Sequence, residues 1–287
     1  MIVDSHFHID ETMLTIDEQV KLMETNGITK AALIAPFNTT MFSAEETPEG
    51  KAGLDYFRQL LLDGSPDGFN MYNALVEDRD FVLGGQHFPI YFKPDNACVE
   101  KAIARYPGKF YGWVTVNPNQ PEAMREVETY LTKPGFIGVK AHPFMHQYSI
   151  KALDEAAAFC SENKKPMLIH LSAEKGSYQY LPEKYPELKV IYAHLGVPHW
   201  KNMWEYVKDK ANVFLDTSSD YLTREIVAKG AGVIDYRKLI FGNDGPYGCL
   251  EFNHFDFTQK KGWIETLKIP DSHKECIFGK NFMELIS

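Results

Sequence analysis

Short apolar runs rich in β-branched residues alternate along the chain with longer stretches in which apolar positions recur every three or four residues. The runs are MIVDSH, KAALIAP, FYGWVTVNP, FIGVKAHP, PMLIHLS, KVIYAHLG, NVFLDTSS and KLIFGNDGP. A run of that length followed by a helical period reads as a strand followed by a helix, and strands joined in this way lie parallel. SIKALDEAAAFCSENKK is the plainest of the helices: Ser149 caps it, and Ile150, Leu153, Ala156, Ala157 and Cys160 share one stripe before Pro166 ends the segment. IDEQVKLMETNGI stops at Gly27, QPEAMREVETYL opens on a proline, and WKNMWEYVKDKA is a further one.

Eight strand–helix units in roughly 250 residues are what a (β/α)8 TIM barrel of the α/β class requires; an open doubly wound sheet has fewer strands and a glycine-rich loop after the first. The expectation is one barrel domain over residues 1–287. One interval breaks the period, between the second and third runs. An insertion is expected there, at about 37–94, and the segments LLDGSPDGFN and GGQHFPIYFKP within it suit either a substrate lid or a helical hairpin at a subunit contact.

Composition narrows the functional classes. Hydrophobic residues make up 44% and charged ones 24% of the 287, enough for a sizeable core. A net charge of −9 with no lysine or arginine run argues against nucleic acid as a partner. Cys98, Cys160, Cys249 and Cys276 form no CxxC pair, no apolar stretch approaches a membrane span, and no charged segment with an apolar stretch opens the chain. A cytoplasmic protein that does not engage membranes is the expectation.

In a barrel of this kind the chemistry lies at the C-terminal ends of the strands, so the last residues of each run are the informative ones. They are His6 and His8, Lys140 and His142, His170, His194, Asp216 and Asp244. Residues i and i+2 of a strand share a face, so His6 and His8 enter the barrel mouth together. An isolated HxH is a weak sign, but imidazoles and carboxylates are costly to bury alone, and repetition of ligand types at one height on several strands points to a divalent ion. Zinc is the first expectation. Three histidines and a carboxylate leave a position for water, whose pKa the ion lowers towards about 7.

The segments DSHFH, GVKAHP, LIHLS, YPELKVIYAHLG and LIFGNDGP, with CIFGKNFMELI and its Asn281 at the end, resemble the amidohydrolase superfamily and within it the amidohydrolase-related family of metal-dependent hydrolases, decarboxylases and hydratases. The resemblance implies that His6, His8, His170 and Asp244 hold a single metal and that His194 is the catalytic imidazole. It gives Asp244 a second task, taking a proton from the nucleophile and delivering one to the leaving group. In binuclear relatives the lysine of strand four is carboxylated and bridges two ions; Lys140 stands there, and His194 would then be a ligand. Val197 in HLGV and Gly245 in GNDGP depart from the common forms and bear on pocket shape.

His142 is expected to touch substrate or to make a simple hydrogen bond at its strand end, Asp216 to position substrate or to reach a strand-six imidazole, and Asp4, two residues before His6, to support a ligand from behind or to cap buried backbone groups. The leading expectation is a metal-dependent hydrolase acting through metal-activated water on a small amide, ester or lactone, with one zinc ion favoured over two. A decarboxylase or hydratase of a small carboxylic acid on the same barrel is the alternative, which an arginine clustered in the pocket would favour. A metal-free binding protein is the reading from a different class, and the full ligand set argues against it. The expected partner is a small-molecule substrate, and a homodimer is expected from the insertion and the resemblance.

Overall fold

A computed structural model describes residues 1–39, 48–83, 85–251 and 254–287. Each of the eight runs forms a strand: β1 (Val3–His8), β2 (Lys30–Ile34), β3 (Phe110–Val116), β4 (Phe136–Ala141), β5 (Met167–Ile169), β6 (Val190–Tyr192), β7 (Val213–Asp216) and β8 (Leu239–Ile240). They pair in that order in one parallel sheet. The sheet curls until its last and first strands meet. There Ser5 N–H donates to Phe241 O at 3.0 Å and Asp244 N–H to His6 O at 2.9 Å. Asp4 reinforces this junction from inside β1, accepting from the backbone and side chain of Asn243 at 3.0 and 2.8 Å. The result is the (β/α)8 barrel.

Alternation along the strands sorts the apolar side chains into two cores. Ala32, Ile34, Leu168, Ile191 and Ile240 belong to one, while their neighbours Leu33, Met167, Ile169, Val190 and Leu239 belong to the other, against the helices. Register then places the polar residues. Lys140 pairs with Leu168 and Asp216 with Ile240, so both side chains share the face of the inner core, which is the barrel interior. Phe282 and Leu285 of the C-terminal helix join that inner core, and Asn281 donates to Tyr236 O and Leu239 O, fixing the helix beside the start of β8.

Helix α1 (Ile16–Thr25) joins β1 to β2, and between β2 and β3 the chain forms two helices, α2 (Pro48–Leu62) and α3 (Pro66–Ala74), and an antiparallel sheet of Val76–Glu77, Asp80–Leu83 and Gln86–Pro89. Residues 40–47 and 84 of the expected insertion lie outside the described residues. The helix expected after Ser149 begins with a 3-10 turn at Ile150–Leu153 and becomes α-helical only over Asp154–Glu162. Glu174 explains the tight start, because it accepts from both Ser149 Oγ and Ile150 N–H at 2.8 Å. No helix among the described residues is long and apolar enough to cross a membrane.

Close backbone approach between β4 and the start of β5 depends on Gly138. A Cβ there would lie 2.2 Å from Pro166 O and 2.8 Å from the Trp113 ring. Gly138→Ala should therefore cost about 1–3 kcal/mol through overpacking, read as a lower urea midpoint; an unchanged midpoint would mean that the two strands move apart freely there.

Candidate metal centre

All eight strand-end residues singled out in the sequence meet at one end of the barrel. His6 Nε2 lies 3.2 Å from His8 Nε2, Lys140 Nζ and Asp244 Oδ1 alike. His8 Nε2 is also 3.2 Å from Asp244 Oδ1. On the far side His194 Nε2 stands 3.9 Å from Asp244 Oδ2 and 2.9 Å from His170 Nδ1. The His142 ring stacks on that of His170, with centroids 4.0 Å apart.

Asp216 organises this cluster from below. It is fully buried, and Oδ2 accepts from His6 Nδ1 at 2.8 Å while Oδ1 accepts from the His194 backbone at 2.8 Å and from Ser218 Oγ at 2.6 Å. Those contacts settle two tautomers. His6 gives its Nδ1 proton to a carboxylate, and His194 gives its own to Ser218 O at 3.1 Å, because a carbonyl can only accept. Each Nε2 is left without a proton of its own, that of His6 facing Lys140 Nζ at 3.2 Å. His194 and Asp244 both sit in left-handed backbone at φ 58°, an uncommon conformation for such residues. Neighbours hold it: His194 N–H is tied to Asp216, and Asp244 lies between bonds to His6 O and from Gly248 N–H.

Burial governs the charges. It lowers the pKa of His6 and His8, takes that of His194 down to about 4, and holds those of His142 and His170 well below the ordinary value. Burial also pushes Lys140 down to about 8, an effect that Asp216 and Asp244 only partly oppose. For Asp244 burial acts against the charge but is outweighed by the imidazoles of His6, His194 and His8, so its carboxyl stays well below the usual range. The same balance, with His6 as main partner, keeps Asp216 ionised.

Three proton-free acceptors, His6 Nε2, His194 Nε2 and an Asp244 oxygen, lie within 4.8 Å of one another. Lone pairs crowded so closely away from water repel unless a cation sits among them, and two imidazoles with a carboxylate are the donors of a borderline divalent ion. The residues fit a metal.

Above them opens a cavity of about 170 Å³. His8, His170 and Asp244 form part of its lining; Phe57, Leu75 and Phe81 from the insertion cover it. His142 also lines it. Its Nδ1 accepts from Met145 N–H at 3.2 Å, so the neutral ring carries its proton on Nε2 as a donor. Asp216 is not among the described lining residues, since both its oxygens are committed to the protein.

A family profile described as Amidohydrolase matches residues 3–285. The chain belongs to the amidohydrolase family. No curated protein matches it in sequence. Among solved structures, it is similar to 4-oxalomesaconate hydratase from Rhodopseudomonas palustris, at 15% identity and TM-score 0.65 over 100% of this chain and 95% of that one. A probable 2-pyrone-4,6-dicarboxylic acid hydrolase from Acinetobacter baumannii shows 16% identity and TM-score 0.63, covering 99% and 98%. A dihydroxybenzoic acid decarboxylase from a Polaromonas species, with manganese and an inhibitor bound, shows 16% and 0.59, covering 99% and 96%. At these identities the likeness is one of fold.

Gly245 packs against β1: a Cβ there would lie 2.1 Å from the Phe7 ring, which stacks on Phe257. Sequence reasoning passed over Ser218, although its place two residues after Asp216 on one strand end carried the signal. It also passed over Tyr72, fully buried with its hydroxyl 2.7 Å from His170 Nε2, for which the insertion offered no period to read. Because Asp216 orients two imidazoles at once, Asp216→Asn should weaken metal binding about 10–100-fold with the fold retained. Metal content after dialysis against graded chelator measures this, and undiminished retention would refute the role.

Proposed function

We propose that this chain is a metal-dependent hydrolase of a small organic substrate with an apolar body and an amide, ester or lactone group. The observation that carries the reading is the convergence of His6, His194 and Asp244 donors under a covered cavity. His6, His194 and Asp244 would hold a divalent ion, with His8 and His170 in reach and Lys140 beside His6; this proposal makes His194 a ligand, where the resemblance implies the catalytic imidazole and counts His8 and His170 as ligands. A bound ion would supply water of lowered pKa, near 7, and polarise the substrate's carbonyl.

The chain's own residues do the rest. Asp244, whose carboxyl stays well below the usual range, takes the proton of the attacking water and returns it to the leaving group. His142, with its proton on Nε2, offers a hydrogen bond to the substrate from the cavity wall. Phe57, Leu75 and Phe81 exclude bulk water, which strengthens every charge interaction beneath them. Asp220 lines the same cavity, and a substrate bearing its own carboxylate would meet it. Lys260 Nζ stands 3.9 Å from Asp220, however, and what supports hydrolysis of a neutral group over decarboxylation is that no arginine is among the described lining residues. Zinc remains the proposed metal, and manganese in a structural neighbour makes it the second to try.

Protein purified without added metal should carry at least one ion per chain, and two would assign Lys140 as a carboxylated bridge. Chelation should abolish hydrolysis across a panel of lactones, esters and amides, with zinc or manganese restoring it, and Asp244→Asn should lower kcat by about 10²–10⁴-fold. Absence of any ion, with thermal stability unchanged by chelator, would end the metal reading. Carbon dioxide release from aromatic acids without hydrolysis would move the assignment to a decarboxylase.

A further inference from the structure

We propose that Tyr72, on insertion helix α3, is a positioning residue: its phenol fixes which nitrogen of His170 faces the centre, and so links docking of the cavity cover to metal affinity. The proposal rests on the metal reading above. Tyr72 and His170 are far apart in sequence, and Tyr72 has no exposed surface. Its hydroxyl lies 2.7 Å from Leu171 O and 2.7 Å from His170 Nε2.

The phenol has one proton. A carbonyl can only accept, so that proton goes to Leu171 O, and the phenol oxygen must accept from His170 Nε2–H. A neutral imidazole carries one ring proton, which leaves Nδ1 bare. Nδ1 faces His194 Nε2 at 2.9 Å, and that nitrogen is bare as well, because His194 donates its proton to Ser218 O. Two lone pairs at hydrogen-bond distance call for a cation.

Without the phenol a competing arrangement opens. His170 could protonate Nδ1 and donate to His194 Nε2, satisfying both imidazoles with no ion present. Tyr72 removes that alternative by engaging the Nε2 proton. The ring is also held flat, since His142 stacks on His170 at 4.0 Å and Phe144 stacks on Tyr72 at 4.2 Å. Helix α3 is further joined to the barrel by Phe69 against His199, with centroids 5.8 Å apart, and the preceding turn by Lys201 Nζ on Asp63 O. Coupling between sites is reciprocal, so if a docked α3 favours the ion, the ion favours a docked α3.

The test uses the full-length protein and zinc as probe. Long-range ¹H–¹⁵N NMR of the metal-free protein should show His170 protonated on Nε2, and Tyr72→Phe should move the proton to Nδ1. Zinc affinity by chelator competition should fall about 10–100-fold in that variant. In the unsubstituted protein zinc should slow amide exchange across Pro66–Ala74, a measurement that does not depend on the variant folding. An unchanged tautomer and zinc affinity in Tyr72→Phe, even with a lower melting temperature, would reduce Tyr72 to packing and overturn the proposal, as would exchange in α3 that zinc leaves unaltered. If the unsubstituted protein binds no zinc, the metal reading falls, and the proposed coupling with it; the tautomer comparison then decides separately whether Tyr72 orients His170.

Discussion

A buried carboxylate at the end of β7 is the contact on which the arrangement at the barrel mouth depends. Asp216 has no water to solvate it, and in its place it has His6 Nδ1, the His194 backbone and the Ser218 hydroxyl and backbone. Each of those bonds also fixes something else. One turns the His6 ring so that Nε2 faces the mouth; one holds His194 in left-handed backbone; one places the Ser218 oxygens where they accept the His194 proton. Burial of one charge is thus offset by ordering of the donors around it, and the bare nitrogens that result are what a divalent ion requires.

The same economy holds at the seam of the barrel. Asp4 joins β1 to Asn243, and the backbone bonds of Asp244 and His8 across the junction are bonds between proposed ligand strands. Closing the sheet and assembling the centre are therefore one event. The pairing of β1 with β2 shifts register between Asp4 and Phe7, the stretch that holds His6.

The insertion supplies what a bare barrel lacks. Phe57, Leu75 and Phe81 cover the mouth, and Tyr72 reaches down to His170. Cover and centre share a hydrogen bond, so the dry environment that keeps the imidazoles neutral and the geometry that aims them have a common origin.

Much of this was legible in the chain. Apolar runs with β-branched residues are strands because the pleat accommodates them, and their recurrence with helical stretches between admits few topologies; all eight strands fall on the runs that the pattern marks. The strand-end positions of His6, His8, Lys140, His142, His170, His194, Asp216 and Asp244 follow from the same reading, since i, i+2 spacing and strand direction are local properties. Roles were not local. For Asp216 both a substrate contact and an imidazole contact were open from the sequence, and its bonds go to His6 Nδ1 and the His194 backbone, because which oxygen meets which nitrogen depends on the stagger of β7 against β1. Tyr72 carries no signal in an aperiodic stretch, and its partner lies far along the chain. Sequence determined which residues arrive at the barrel mouth, through periods of two and 3.6; only the closed tertiary structure decided which nitrogen of each imidazole is left free, because that depends on hydrogen-bond partners brought from other strands.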